Sequence, residues 1–176
     1  MGRTSPWQGR ACGLHAAQGF GRRRIRLGSG PPITGADMAR DGEGRTALIT
    51  GASAGIGKAL AEEFARNGFD VVLTARREGR MRELGAQLEQ KYKIKAHIFT
   101  ADLSDPVAPA NLCQAFAARG LQIDALVNNA GYGLTGSYHA STWEAQRDFL
   151  QVLVTAPCAF AHLLLPGMQE RRYGRI

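Results

Sequence analysis

From residue 45 onward the hydrophobic positions form short solid runs that alternate with longer amphipathic stretches. Residues 46–50 contain Ala47-Leu48-Ile49 and read as a buried strand. Ile56, Leu60 and Phe64 recur every four residues and predict one face of a helix, which Asn67-Gly68 ends. Val71-Val72-Leu73 predicts a second strand, and residues 78–91 a second helix with Met81, Leu84 and Leu88 inward. A third strand is expected over 94–100. Ser104-Asp105-Pro106 then signals a helix start, with Leu112, Phe116 and Ala117 on one face. Residues 123–127 predict a fourth strand. Ser141-Thr142-Trp143-Glu144 has the spacing of a capping box, in which hydroxyl and carboxylate satisfy each other's free N–H groups. It opens a long helix running to about Met168, and Gly174-Arg175-Ile176 reads as the approach to a fifth strand.

Strands alternating with helices imply parallel strands joined by crossovers. The expected class is α/β: an incomplete doubly wound parallel sheet, Rossmann-like, of about four strands with flanking helices. Ending at the approach to a fifth strand, the sheet is expected to have an apolar edge open to pairing with a second copy, and to be poorly stable unless something completes it.

Charge divides the chain differently. Residues 1–37 hold six of the 22 basic residues and one of the 15 acidic ones, while 38–176 carry 16 basic and 14 acidic groups. The body is close to neutral, and most of the net charge of +7 belongs to the first segment. That segment is rich in Gly and Arg, lacks apolar periodicity, and is expected to be a disordered tail preceding a partial domain over 38–176. Its densest run, Arg22-Arg23-Arg24-Ile25-Arg26, leaves nucleic-acid contact, membrane-surface contact and a transit peptide open beside an inert tail, as does a start at Met38. No aromatic interleaving or amphipathic face supports a specific nucleic-acid partner. The apolar stretch 152–168 is interrupted by Pro157, His162 and Pro166, so no membrane span is expected. Cys12, Cys113 and Cys158 show no paired or metal-like spacing; the last two are expected as small buried hydrophobes, and the chain as a cytoplasmic protein. His97, His162 and Trp143 are expected in packing roles.

The chemistry-bearing segment is Thr50-Gly51-Ala52-Ser53-Ala54-Gly55-Ile56-Gly57, placed after a strand and before an amphipathic helix. Gly51 suits a sharp turn, Gly55 a close approach of backbone to a pyrophosphate, and Gly57 a tightly packed helix. Free N–H groups at the helix start attract phosphate charge. At the end of the second strand, where a carboxylate would hold the ribose hydroxyls of NAD, the residue is Ala75. Arg76 and Arg77 follow, and guanidinium groups there suit a 2′-phosphate, which points to NADP.

With Asp102-Leu103 after the third strand and Asn128-Asn129-Ala130-Gly131 after the fourth, the order of motifs resembles the short-chain dehydrogenases/reductases over 45–176. The resemblance implies hydride transfer between NADP(H) and a small carbonyl or alcohol substrate. It places Gly51, Ser53, Ala54, Gly55, Ile56, Gly57, Arg76 and Arg77 at the phosphate end of the cofactor. Asp102 and Leu103 would lie at the adenine, and Asn129, Ala130 and Gly131 along the ribose and nicotinamide. Asn128 is expected to pin the sheet backbone, Gly131 and Gly133 to relieve crowding, and Tyr138 and His139 to approach the substrate side.

The family's chemistry uses a serine and a Tyr-x-x-x-Lys pair. No Tyr-x-x-x-Lys occurs among these 176 residues, and no lysine follows Lys95. No catalytic or metal-ligating residue is therefore assigned, and the chain is expected to be a cofactor-binding fragment, inactive alone. The alternatives are a non-catalytic NADP(H)-binding module or an inactive truncated product. Leu153 stands where the family usually has an asparagine that supports a proton relay and a helix irregularity.

Overall fold

In the computed structural model, which describes residues 41–176, four parallel strands are ordered β3-β2-β1-β4. They are β1 (Thr46–Thr50), β2 (Asp70–Ala75), β3 (Ala96–Thr100) and β4 (Ala125–Val127). The helices are α1 (Gly55–Arg66), α2 (Glu78–Tyr92), α3 (Ala108–Ala118), α4 (Trp143–Leu150) and α5 (Ala156–Glu170). The tail expected over 1–37, including Cys12 and the arginine run, lies outside the described residues, as does Met38.

The solid apolar runs of β1 and β2 are explained by burial on both faces. Ala47, Ile49, Val71 and Leu73 point into one core with Met81, Leu84 and Leu88 of α2. Leu48, Val72 and Leu126 point into the other, with Leu112 and Phe116 of α3 and Phe160 of α5. Side chains alternate across each strand, so one sheet feeds two cores. Both ladders on β1 are in parallel register, with Leu48 opposite Val72 on one side and Leu126 on the other.

Several expectations are corrected. The buried stripe of α1 is Gly57, Ala61 and Ala65, and Ile56 is 73% exposed. Small residues let this helix lie close to the sheet, while Leu60 and Phe64 flank the contact half-buried. Ala117 is exposed. The third and fourth strands begin two residues later than predicted, at Ala96 and Ala125. The capping box does not form: Thr142, not Ser141, caps α4, its hydroxyl accepting from the Ala145 N–H at 3.2 Å. Ser141 instead donates to the Tyr138 carbonyl at 2.7 Å. Trp143 is 63% exposed. Cys158 and His162 are exposed as well, whereas Cys113 is half-buried, and burial pushes its thiol up to about 11.

The prolines do not break the last helix. α4 and α5 join through a π turn, Gln151–Thr155, into one helix of 28 residues from Trp143 to Glu170. Pro157 has no N–H to give, and it follows directly on the widened turn, where the ladder is already shifted. Pro166 leaves the carbonyl of His162 to solvent on an exposed side. By length and composition this helix could cross a membrane, and only 22% of its most apolar window is buried. The broken-run argument against a span therefore fails.

The open edge is also narrower than expected. Arg175 forms a parallel bridge with Ala125, donating to the Asp124 carbonyl at 3.0 Å and accepting from the Leu126 N–H at 2.8 Å. The Asp124 carboxylate, buried, takes the Thr46 N–H at 3.1 Å and the Arg171 guanidinium at 3.2 Å. One side chain thus ties the entry of β1, the entry of β4 and the last turn of the chain.

At the other end of the same strands, the buried Thr50 hydroxyl donates to the Val127 carbonyl at 3.1 Å. It accepts the N–H groups of Asn129 and Ala130, each at 3.0 Å. A hydroxyl has one proton and two lone pairs, and all three are used. Replacing Thr50 by valine keeps the shape and strands the Ala130 N–H, while the Asn129 N–H and the Val127 carbonyl still bond each other at 3.0 Å, so we expect a loss of about 2 kcal/mol, the cost of one buried orphaned group. Urea unfolding of the Thr50→Val protein measures it, and a loss below about 1 kcal/mol is incompatible with this role.

Candidate cofactor site

The strand order reverses between β1 and β4: β2 and β3 lie to one side of β1, β4 to the other. Loops leaving two such strands diverge, and a crevice opens at their carboxyl ends. Here that crevice is a cleft of about 940 Å³. All thirteen residues assigned to the cofactor from sequence line it: Gly51, Ser53, Ala54, Gly55, Ile56, Gly57, Arg76, Arg77, Asp102, Leu103, Asn129, Ala130 and Gly131.

The floor is built by close backbone contact. Gly51 has φ +69°, and a Cβ there would lie 2.8 Å from the Ala130 Cα. A Cβ on Gly57 would meet the Gly51 carbonyl oxygen at 2.4 Å and Asn129 Nδ2 at 2.5 Å. The tight packing of Gly57 is thus against the loop and Asn129 rather than against the sheet. Gly55, at φ +56°, faces open space. The start of α1 carries no side-chain cap and no acidic residue in its first turn, so its leading N–H groups point outward unpaired by side chains.

The backbone-pinning role expected of Asn128 falls to Asn129. Asn129 pins the backbone, its amide donating to the Thr50 carbonyl at 2.9 Å, and it still borders the cleft. Asn128 is exposed and reaches the Pro157 carbonyl only at 3.5 Å. Gly131 relieves crowding against Leu153, whose Cδ2 would lie 2.8 Å from a Cβ there and would have to turn aside. Gly133 meets nothing within 4 Å, so no crowding explains it. The helix irregularity persists with leucine at 153.

At the far end of the cleft, Ser53 Oγ accepts two bonds from Arg77, at 3.0 Å from one terminal nitrogen and 3.3 Å from Nε. The serine retains its own proton for a further acceptor. Arg76 lies 3.8 Å from the Asp102 carboxylate, an exposed pair that contributes little to stability. Asp102 is held below its ordinary value of 3.8, first by the Ser104 N–H, then by the Ser104 hydroxyl and Arg76. The lowered value means the turn is favoured above the ordinary Asp range and loses that support as the pH falls through the folded-state value.

Sequence reading missed Thr74, Tyr132, Asp148 and Val152, which also line the cleft. Thr74 is fully buried and its hydroxyl has no partner among the described residues. Tyr132 packs edge-on against Phe149, ring centroids 5.6 Å apart. Its position beside Gly131 was the available signal; Asp148 and Val152 come from a helix whose pitch alone brings them in. Tyr138 and His139, expected on the substrate side, form an exposed single turn apart from the cleft lining.

The family model for short chain dehydrogenase matches residues 45–176. The very-long-chain 3-oxoacyl-CoA reductase of Coprinopsis cinerea is 29% identical over 82% of this chain and 44% of its own length. The inactive hydroxysteroid dehydrogenase-like protein 1 of Mus musculus is 33% identical over 86% of this chain and 44% of its own. Among solved structures, L-sorbose reductase from Gluconobacter frateurii, complexed with NADPH and L-sorbose, superposes with a TM-score of 0.70. It is 33% identical over 77% of this chain and 51% of its own. A short-chain dehydrogenase from Sphingobium yanoikuyae in complex with NADPH gives 0.69 at 34% identity, over 74% of this chain and 50% of its own. The chain thus spans about half the length of these relatives, and the matched residues carry both loops of the cleft. It belongs to the short-chain dehydrogenase family.

Proposed function

We propose that this chain is the NADP(H)-binding portion of a short-chain oxidoreductase, and that these 176 residues bind the cofactor without turning over a substrate. The observation that carries the reading is the pairing of Arg77 with Ser53 beside Ala75, where a carboxylate would select an unphosphorylated ribose. The NADPH-bound neighbours support it, since their identity to this chain lies above 30%.

The residues fit the cofactor. The cleft offers a phosphate cradle open at Gly55, where no side chain intrudes, and a buried Thr74 hydroxyl without a partner among the described residues. Ser53, Ala54, Gly55 and the uncapped start of α1 would hold the pyrophosphate, and Arg77 with Arg76 the 2′-phosphate. Asp102 and Leu103 would border the adenine, and Ala130, Gly131 and Tyr132 the nicotinamide end. When bound, the nicotinamide supplies a hydride acceptor or donor. No residue among the 176 supplies the Tyr-x-x-x-Lys proton donor, and Leu153 brings no polar atom to the π turn.

A non-catalytic binding module is the second reading. It is favoured by the naming of the mouse relative as inactive and by Leu153 at the asparagine position.

Nicotinamide fluorescence titration tests the first part. We expect the chain to bind NADPH more tightly than NADH, and Arg77→Ala to weaken NADPH binding about 10- to 100-fold by removing a charge-assisted bond. Equal affinities for the two cofactors would overturn the NADP assignment. For the second part, NADPH oxidation at 340 nm with a panel of ketones and acyl thioesters is expected to stay at the buffer rate. Saturable turnover by residues 1–176 would contradict it.

A further inference from the structure

A second cavity, of about 330 Å³, lies behind the phosphate loop, between the first turns of α1 and α2. It shares Ser53, Ala54 and Gly55 with the cofactor cleft, so the loop is a common wall. Lys58 enters it from α1, Arg80 and Glu83 from α2, with Gln87 one turn further along α2. Neither the Lys58 nor the Arg80 side chain forms a hydrogen bond or salt bridge among the described residues, though Lys58 acts at a distance on Glu62, one turn on. Other basic residues of the two helices are paired: Arg66 with Glu63, Arg82 with Glu78, and Lys91 with Glu62. Two unpaired cations therefore flank one side of Ser53, and Arg77 is bonded to that serine's hydroxyl from its own position at the head of α2.

We propose that Lys58 and Arg80 are selectivity residues, a second basic layer that favours the 2′-phosphate of NADP(H) across the Ser53 wall. This rests on the cofactor reading above and extends it. Arg77 supplies the direct pairing. A phosphate dianion placed against Arg77 and Ser53 sits at the junction of the two cavities. There the fields of Lys58 and Arg80 add to that of Arg77, in a crevice whose protein walls limit screening. Glu83 lines the same cavity and opposes them. Both cofactors share the pyrophosphate and only NADPH adds the 2′-phosphate dianion, so the residues raise NADPH affinity more than NADH affinity.

The test is the NADPH-to-NADH affinity ratio of residues 1–176, read by nicotinamide fluorescence at low salt. Lys58→Gln and Arg80→Gln are each expected to lower the ratio about 3-fold, and the double variant about 10-fold, as suits partly screened surface charges. Glu83→Gln is expected to raise it about 2-fold, and added salt to compress all these differences. Far-UV circular dichroism and the urea midpoint report independently that each variant is folded. A wild-type preference for NADPH that survives unchanged in both glutamine variants overturns the second layer while leaving Arg77 as the determinant. Failure of the wild type to bind either cofactor overturns the reading on which it rests.

Discussion

The Thr50 hydroxyl sets the geometry on which the site depends. It sits at the last residue of β1, where the chain must leave the sheet for the phosphate loop, and it bonds three groups at the exit of β4. The two loops that form the cleft therefore do not diverge freely from the strand ends. Asn129 closes the arrangement from the other side by donating to the Thr50 carbonyl. Gly51 and Gly57 follow from that fastening: with the loops drawn this close, neither position has room for a Cβ. Burial makes the arrangement stiff, since a buried group without its partner is costly.

Asp124 performs the matching task at the opposite end of the sheet, joining the entries of β1 and β4 to Arg171 and to the strand segment at Arg175. Between these two clamps, β4 needs only three residues to hold its register against β1. The long helix 143–170 is less constrained. Its inward side packs Val152, Ala156 and Phe160 into the core, while Leu150, Val154, Leu163 and Leu165 remain exposed. Its π turn lies where Leu153 meets Gly131, so the irregularity and the cleft margin are one feature.

Much of this was legible in the residue pattern because the signals were local. Solid runs such as Val71-Val72-Leu73 marked strands buried on two faces, and glycine spacing after β1 marked the phosphate turn. The arginines after Ala75 could be read by charge alone. What escaped depended on contacts between distant segments. No local rule says that Gly57, Ala61 and Ala65 rather than Ile56 form the buried stripe of α1; that follows from how near the sheet the helix lies. Nor does Asn128-Asn129 reveal which amide turns back to Thr50. The capping residue shifted from Ser141 to Thr142 because the preceding single turn takes up the Ser141 hydroxyl. Pro157 and Pro166 read as interruptions, yet a widened turn and an exposed carbonyl accommodate them.

The central claim is that the loops after β1 and β4 form one dinucleotide site. Amide chemical shifts of the isotope-labelled chain, recorded as NADPH is added, test it most directly. The account predicts that Gly51, Gly55 and Gly57 shift together with Asn129, Ala130 and Gly131, along one titration curve. Shifts confined to one of the two loops, or absent from both while NADPH is bound elsewhere, would contradict it.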